Sequence, residues 1–195
     1  STPPAPHPAL DGVDFAGVMA HLDATLPDDA IVANGAGNYT VWVHRFFRYR
    51  QPATELAPTN GAMGYGLPAA IAAKLRHPER SVVCFAGDGC FMMYPQELAT
   101  AMQYGAAVVV IVVNNGMLGT IRMHQEREYP GRPVATKLAN PDFVALARAF
   151  GAHAERVTQT TDFAAAFARA SKAGLPALIE LCVDPRQITP QARLA

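Results

Sequence analysis

Ser81-Val82-Val83-Cys84-Phe85-Ala86-Gly87-Asp88-Gly89 is followed, after one helix-length interval, by Ala106-Ala107-Val108-Val109-Val110-Ile111-Val112-Val113-Asn114-Asn115-Gly116. These two stretches carry the clearest fold signal in the chain. Each is a short apolar run that closes on glycine and a polar side chain. The first predicts a strand over 81–86 and the second a strand over 107–113. The second is apolar on both faces, the pattern of a strand buried between two layers of helices. Between them Pro95 to Tyr104 has helical composition, with Gly105 as its stop. Strand, helix, strand in this order is a right-handed crossover unit.

The same alternation continues outward in both directions. Asp14 is placed to cap a helix whose apolar residues Phe15, Val18, Met19, Leu22 and Leu26 share one face, and Pro27-Asp28 ends it. Ala30–Ala33 is a short strand, followed by the turn Asn34-Gly35-Ala36-Gly37 and a helix over Asn38–Phe47. Thr54–Ala57 is a weak strand. Gly61–Gly66 is glycine-rich, and Pro68 opens the helix Ala69–Arg76 from the favoured first-turn position. Beyond Asn115 come a short helix, a polar loop, the helix Pro141–Phe150, the strand His153–Val157, the helix Asp162–Lys172 and the strand Ala177–Val183. The remaining tail reads as extended. The expected architecture is a three-layer α/β sandwich with a mainly parallel sheet of about six strands. The expected organisation is a linker over 1–12, one domain over 13–189 and a tail over 190–195.

Composition narrows the possible functions. Of 195 residues, half are apolar and the formal net charge is zero, which gives no basis for nonspecific attraction to nucleic acid or an anionic membrane. The longest apolar run, Ala106–Val113, is strand-sized, far below the roughly 18–20 residues that span a bilayer. No basic-then-apolar secretory leader is seen. The three cysteines, Cys84, Cys90 and Cys182, match no zinc spacing; Cys84 and Cys182 lie in apolar strand-like runs and read as reduced core thiols, and a reducing cytoplasm fits best. The chain opens Ser-Thr-Pro-Pro rather than with methionine, so a fragment or trimmed chain is expected.

In an open parallel sheet, ligands bind beyond the carboxyl ends of the strands. Three loops stand there: Asn34–Tyr39, Gly87–Phe91 and Asn114–Thr120. If the two opening strands are neighbours, Asp88 and Asn115 point into one crevice. A carboxylate, an amide oxygen and a backbone carbonyl form a hard-oxygen set that suits magnesium with positions left for phosphate oxygens. Gly87 and Gly89 let the backbone approach a phosphate closely, and helix N-termini add N–H donors.

Gly87-Asp88-Gly89, then 24 residues, then Asn114-Asn115 resembles the signature of thiamine-diphosphate-dependent enzymes. The resemblance implies their diphosphate-binding fold, with thiamine diphosphate and Mg2+ as cofactors. It assigns the metal to Asp88, Asn115 and the carbonyl of Met117. Gly61-Ala62-Met63-Gly64-Tyr65-Gly66 is similar to the acetolactate synthase segment that holds the middle of the cofactor. Met63 then corresponds to the apolar wedge between the two rings, and the Gly61 carbonyl to the acceptor for the aminopyrimidine. Gly37-Asn38-Tyr39 stands where acetolactate synthases usually show Gly-Gln-His in the first diphosphate loop. The cofactor-binding set implied is Gly37, Asn38, Tyr39, Gly61, Ala62, Met63, Gly87, Asp88, Gly89, Cys90, Asn115, Met117, Leu118 and Gly119. The resemblance runs from about Phe15 to Thr189 and covers the last third of such an enzyme.

The family's chemistry is decarboxylation of 2-keto acids, with or without joining to a second carbonyl. Its activating glutamate lies on a separate pyrimidine-binding domain that is absent here, so no catalytic residue is assigned. A homo-oligomer, dimer or tetramer, is implied, because the family builds its sites between subunits. Many acetolactate synthases carry Gln-Trp just after the metal motif. Here Ile121-Arg122-Met123-His124-Gln125 puts His124 about where the Trp is expected, and other 2-keto acid decarboxylases or carboligases fit equally. A small subunit of a two-chain decarboxylase and a noncatalytic module of the same fold are the alternatives. Arg122, His124, Arg127 and Arg132 are interrupted by Glu126 and Glu128 and read as a solvated face or channel rim. The glycines of 61–66 have the wrong spacing for a dinucleotide site.

Overall fold

The computed structural model describes residues 12–194, so all of the expected 1–12 linker except Gly12 lies outside the described residues. Six strands form one sheet: β1 (Ile31–Asn34), β2 (Glu55–Leu56), β3 (Val82–Gly87), β4 (Val109–Asn114), β5 (His153–Val157) and β6 (Ala177–Cys182). Their order is β2-β1-β3-β4-β6-β5, and every neighbouring pair is parallel. The central strands carry valine, isoleucine, leucine and phenylalanine on both faces. Val83, Phe85, Val110, Ile111, Leu178 and Ile179 are all essentially inaccessible. Such a sheet demands cover on each side, and the helices supply it.

The helices are α1 (Phe15–Thr25), α2 (Thr40–Phe46), α3 (Gly66–Arg76), α4 (Asp88–Phe91), α5 (Glu97–Gln103), α6 (Gly119–Glu128), α7 (Phe143–Ala149) and α8 (Phe163–Lys172). Helix α1 packs against α2 and α8, whereas α3 covers β1 and β3 and meets α5. Both α7 and α8 cover the β5–β6 end of the sheet. The result is the expected three-layer α/β sandwich. Asp14 caps α1 as expected, its Oδ1 accepting from the Ala16 N–H at 3.0 Å. Asp142, one position inside the helix expected to open at Pro141, does the same for α7 through the Ala145 N–H at 3.0 Å.

Three local expectations are corrected. Helix α3 starts at Gly66 instead of Ala69. Pro68 is its third residue, and the first i→i−4 bond is Ala69 N–H to the Tyr65 carbonyl, so the missing proline N–H breaks nothing. Residues 88–91, read as loop, form the single helical turn α4 directly on the end of β3. The tail is not extended: Leu194 N–H reaches the Arg186 carbonyl at 2.8 Å, and Gln187 bridges Arg193 antiparallel.

Candidate functional site

Register brings the two opening motifs together. Gly87 of β3 pairs with Val113 of β4, so Asp88 stands level with Asn114 and Asn115 is one step further on. Their adjacency, conditional in the sequence, is real. The carboxyl ends of β1, β3 and β4 open into a cleft of about 270 Å³. Its wall comes from four segments: 36–39, the glycine-rich 61–63, 87–88, and 113–121. Of the fourteen residues implied as cofactor-binding, eleven line it, and Ala62, Gly89 and Cys90 do not.

Those three have other positions. Ala62 is exposed, its N–H donating to Asn60 Oδ1 at 3.2 Å. Gly89 donates its N–H to Asp88 Oδ1 at 2.9 Å, and a methyl group there would meet Leu118 at 2.9 Å. Cys90 is buried behind the cleft, where its Sγ accepts from the Gly64 N–H at 3.2 Å and from the Tyr39 hydroxyl at 3.5 Å. The thiol therefore ties α4 to the glycine-rich segment and to the first loop. Gly64 sits at φ +86, and a methyl group there would lie 2.7 Å from Met93 Cβ, so glycine is required on both counts.

In the first loop, Asn38 Oδ1 accepts from Thr120 Oγ1 at 2.8 Å, which joins that loop to the start of α6. Tyr39 is buried, and burial together with the adjacent Cys90 pushes its phenol well above the usual tyrosine range. It is a neutral hydrogen-bond donor at any physiological pH. Met63 is partly buried and lines the cleft. Helix α6 buries none of its side chains, and Ile121 is half exposed at the cleft wall. On this helix Arg122 lies 3.5 Å from Glu126, and Arg127 lies 3.0 Å from Glu128, so the interrupted basic stretch is a self-compensated face. His124 is exposed and does not line the cleft. His44 Nε2 lies 3.1 Å from Asn34 Oδ1 behind β1, and Trp42 is core, its ring 5.8 Å from Phe15.

Asp88 is the electrostatic centre. Its relative exposure is 3%, and burial raises its pKa against the opposing Asn140 amide and the N–H groups of Gly89 and Gly116. Oδ2 accepts from Asn140 Nδ2 at 2.7 Å. A carboxylate has about four lone-pair sites, and the two bonds from the Gly89 N–H and Asn140 Nδ2 leave acceptor capacity at a residue that lines the cleft. Asn115 Oδ1 accepts from the Met117 N–H at 3.2 Å. Among the described residues no three His, Cys, Asp or Glu side chains converge. A cation here would draw on one carboxylate, an amide oxygen and main-chain carbonyls. That oxygen set, beside glycines that admit phosphate, fits magnesium and a diphosphate.

Two residues behind the cleft carry little signal in the sequence. Asn140, 52 residues from Asp88, offers only an Asn-Pro pair as a signal. Glu180 gave a clearer one: it is a lone charge inside an apolar strand, and it is 3% exposed.

The fold and cleft define an open parallel-sheet protein with a ligand crevice at the strand carboxyl ends. Residues 35–181 match the family described as thiamine pyrophosphate enzyme, C-terminal TPP binding domain, and the chain belongs to that family. It is similar to the acetolactate synthase large subunit of Corynebacterium glutamicum, at 36% identity over 89% of this chain and 29% of that protein. It is likewise similar to the acetolactate synthase isozyme 2 large subunit of Escherichia coli, at 32% identity over 86% of this chain and 31% of that one. A solved structure, the thiamine diphosphate-dependent 4-hydroxybenzoylformate decarboxylase of Rhodococcus jostii RHA1, superposes with a TM-score of 0.86 at 31% identity. It is matched over 94% of this chain and 35% of its own. The chain thus spans about a third of each of these relatives. It is an acetolactate-synthase-like C-terminal TPP binding domain.

Proposed function

We propose that this chain anchors the diphosphate of thiamine diphosphate through Mg2+ in an enzyme that decarboxylates or joins 2-keto acids. The observation that carries the proposal is the convergence of Asp88, Asn115, Met117 and the glycine segments on one cleft. Asp88, Asn115 and the Met117 carbonyl hold the metal. Gly37, Asn38, Tyr39, Gly87, Leu118 and Gly119 surround the diphosphate. Gly61 and Met63 meet the rings, where a polarizable thioether suits packing against aromatic faces. The chemistry such a cofactor supplies is a carbon nucleophile and an electron sink for decarboxylation. This chain's own residues bind and orient it.

The cleft of about 270 Å³ is near the lower end of the roughly 300–1,000 Å³ of small-molecule sites. It accommodates the polar end of the cofactor, and the remaining walls and the activating acid come from elsewhere in the enzyme. The isolated chain therefore binds without turnover. Assembly is a homo-oligomer, dimer or tetramer, that completes the site, and the compartment is the cytoplasm. The three cysteines are free thiols, and no described helix is long and apolar enough to cross a membrane.

Trp42, the sole tryptophan, neighbours Tyr39 and Asn38 of the first loop and reports on the site. With Mg2+ present, thiamine diphosphate should change its fluorescence saturably, while thiamine should not. Equal responses to both would show that the diphosphate is not what this cleft recognises.

A further inference from the structure

Behind Asp88 runs a chain of side chains that the cofactor reading does not use. Glu180 lies on β6 with its side chain 4% exposed. Its Oε2 accepts from Arg156 Nε at 2.7 Å and its Oε1 from Asn114 Nδ2 at 2.8 Å. Asn114 Oδ1 in turn accepts from the Gly116 N–H at 3.0 Å and from Asn140 Nδ2 at 3.1 Å. The same Asn140 Nδ2 donates to Asp88 Oδ2 at 2.7 Å.

This chain has only one satisfiable direction. Both oxygens of Glu180 face N–H donors, so Asn114 must present its NH2 to Glu180. Turning Asn114 over would set its oxygen against a carboxylate and its NH2 against the Gly116 N–H. With the Asn114 oxygen so fixed, Asn140 must also present its NH2. Turning Asn140 over would set its oxygen against both the Asn114 oxygen and Asp88. Partly satisfied buried polar groups are costly, so the direction set at one end is carried to the other.

We propose that Glu180 and Asn140 are positioning residues: Glu180, together with the Gly116 N–H, fixes the direction of an amide relay, through Asn114 and Asn140, that holds the Asp88 carboxylate in the cleft. Arg156 compensates the Glu180 charge but sets no direction. Glu180→Gln is the decisive change. A glutamine at this position has one oxygen for two facing donors, Arg156 Nε and Asn114 Nδ2, so Asn114 loses its acceptor whenever that oxygen turns to Arg156. Arg156→Met breaks the same ion pair and leaves the carboxylate facing Asn114.

The metal part of the test rests on the site reading above, whereas the relay itself does not. In the full chain, the side-chain amide protons of Asn140, followed by 15N NMR without metal, should be protected from exchange. Their exchange should quicken in E180Q and stay as in the wild type in R156M. In a second arm, Mn2+ is titrated with thiamine diphosphate present. E180Q and N140A should weaken Mn2+ binding by about 10–100-fold, the usual effect of removing an outer-shell partner. R156M should stay close to wild type even where its melting temperature falls. Unchanged Asn140 protection in E180Q overturns the relay, as does equal loss in E180Q and R156M. Absence of Mn2+ binding in the wild type would sink the metal reading, and amide exchange would still decide the relay.

Discussion

Gly66 shows how tightly single residues determine the site. A methyl group there would stand 2.9 Å from the Gly35 nitrogen and 3.0 Å from the Asn34 carbonyl carbon, both of them backbone atoms that cannot swing aside. Gly66→Ala should therefore destabilise the protein by about 1–3 kcal/mol, the usual cost of overpacking. Chemical denaturation would measure it, and a neutral result would mean that the first loop is softer than its packing indicates. The site's outer residues were only partly legible in the sequence. Asp88, Asn115 and Met63 announce themselves through local motifs. Cys90 stands in the same motif, and its thiol accepts from Gly64 and Tyr39 behind the cleft. Asn140 is invisible because its partner is distant in the chain and its own neighbourhood is an ordinary loop.

At the scale of elements, apolar runs mark the strands to within two residues, because burial on both faces leaves little else in them. Ends were less legible. The helix before β3 begins at Gly66, three residues ahead of the position that Pro68 alone suggests, since proline is tolerated throughout the first turn. The turn Asp88–Phe91 was missed because four residues are too short to show a helical period. Caps were legible: Asp14 precedes an apolar face, and it caps α1. Asp14→Ala should cost about 0.5–2 kcal/mol by loss of that cap. A shift of the thermal midpoint without a change in cofactor binding would confirm a purely structural role.

For the whole molecule, charge pairing closes the C-terminal end. Asp184 is 2% exposed, and Arg186 grips it through Nε at 3.0 Å and a terminal nitrogen at 2.8 Å, while Arg193 adds a third contact at 2.9 Å. The Arg186 guanidinium holds the Asp184 carboxyl below its ordinary value, against the opposing effect of burial. A depressed carboxylate stabilises the fold above the unfolded-state pKa, near about 3.9, and that stability is lost as pH falls through the lower folded value. Asp184→Asn should lower stability at neutral pH by about 1–3 kcal/mol and flatten the acid limb of the unfolding profile. An unchanged acid limb would mean that other carboxylates dominate it.

Assembly belongs to the same scale. Met93 and Tyr94 pack over Gly64 and are half exposed beside Tyr65. In the proposed oligomer this apolar surface is the contact face. The purified chain should self-associate in light scattering, and a monodisperse monomer would count against an oligomeric site.

The proposed function rests on Asp88 anchoring a metal-bound diphosphate. Calorimetric titration of thiamine diphosphate, with Mg2+ and then with EDTA, tests it most directly in the wild type and in Asp88→Ala. Binding should require Mg2+ and disappear in the variant. Binding that survives both EDTA and Asp88→Ala would contradict it.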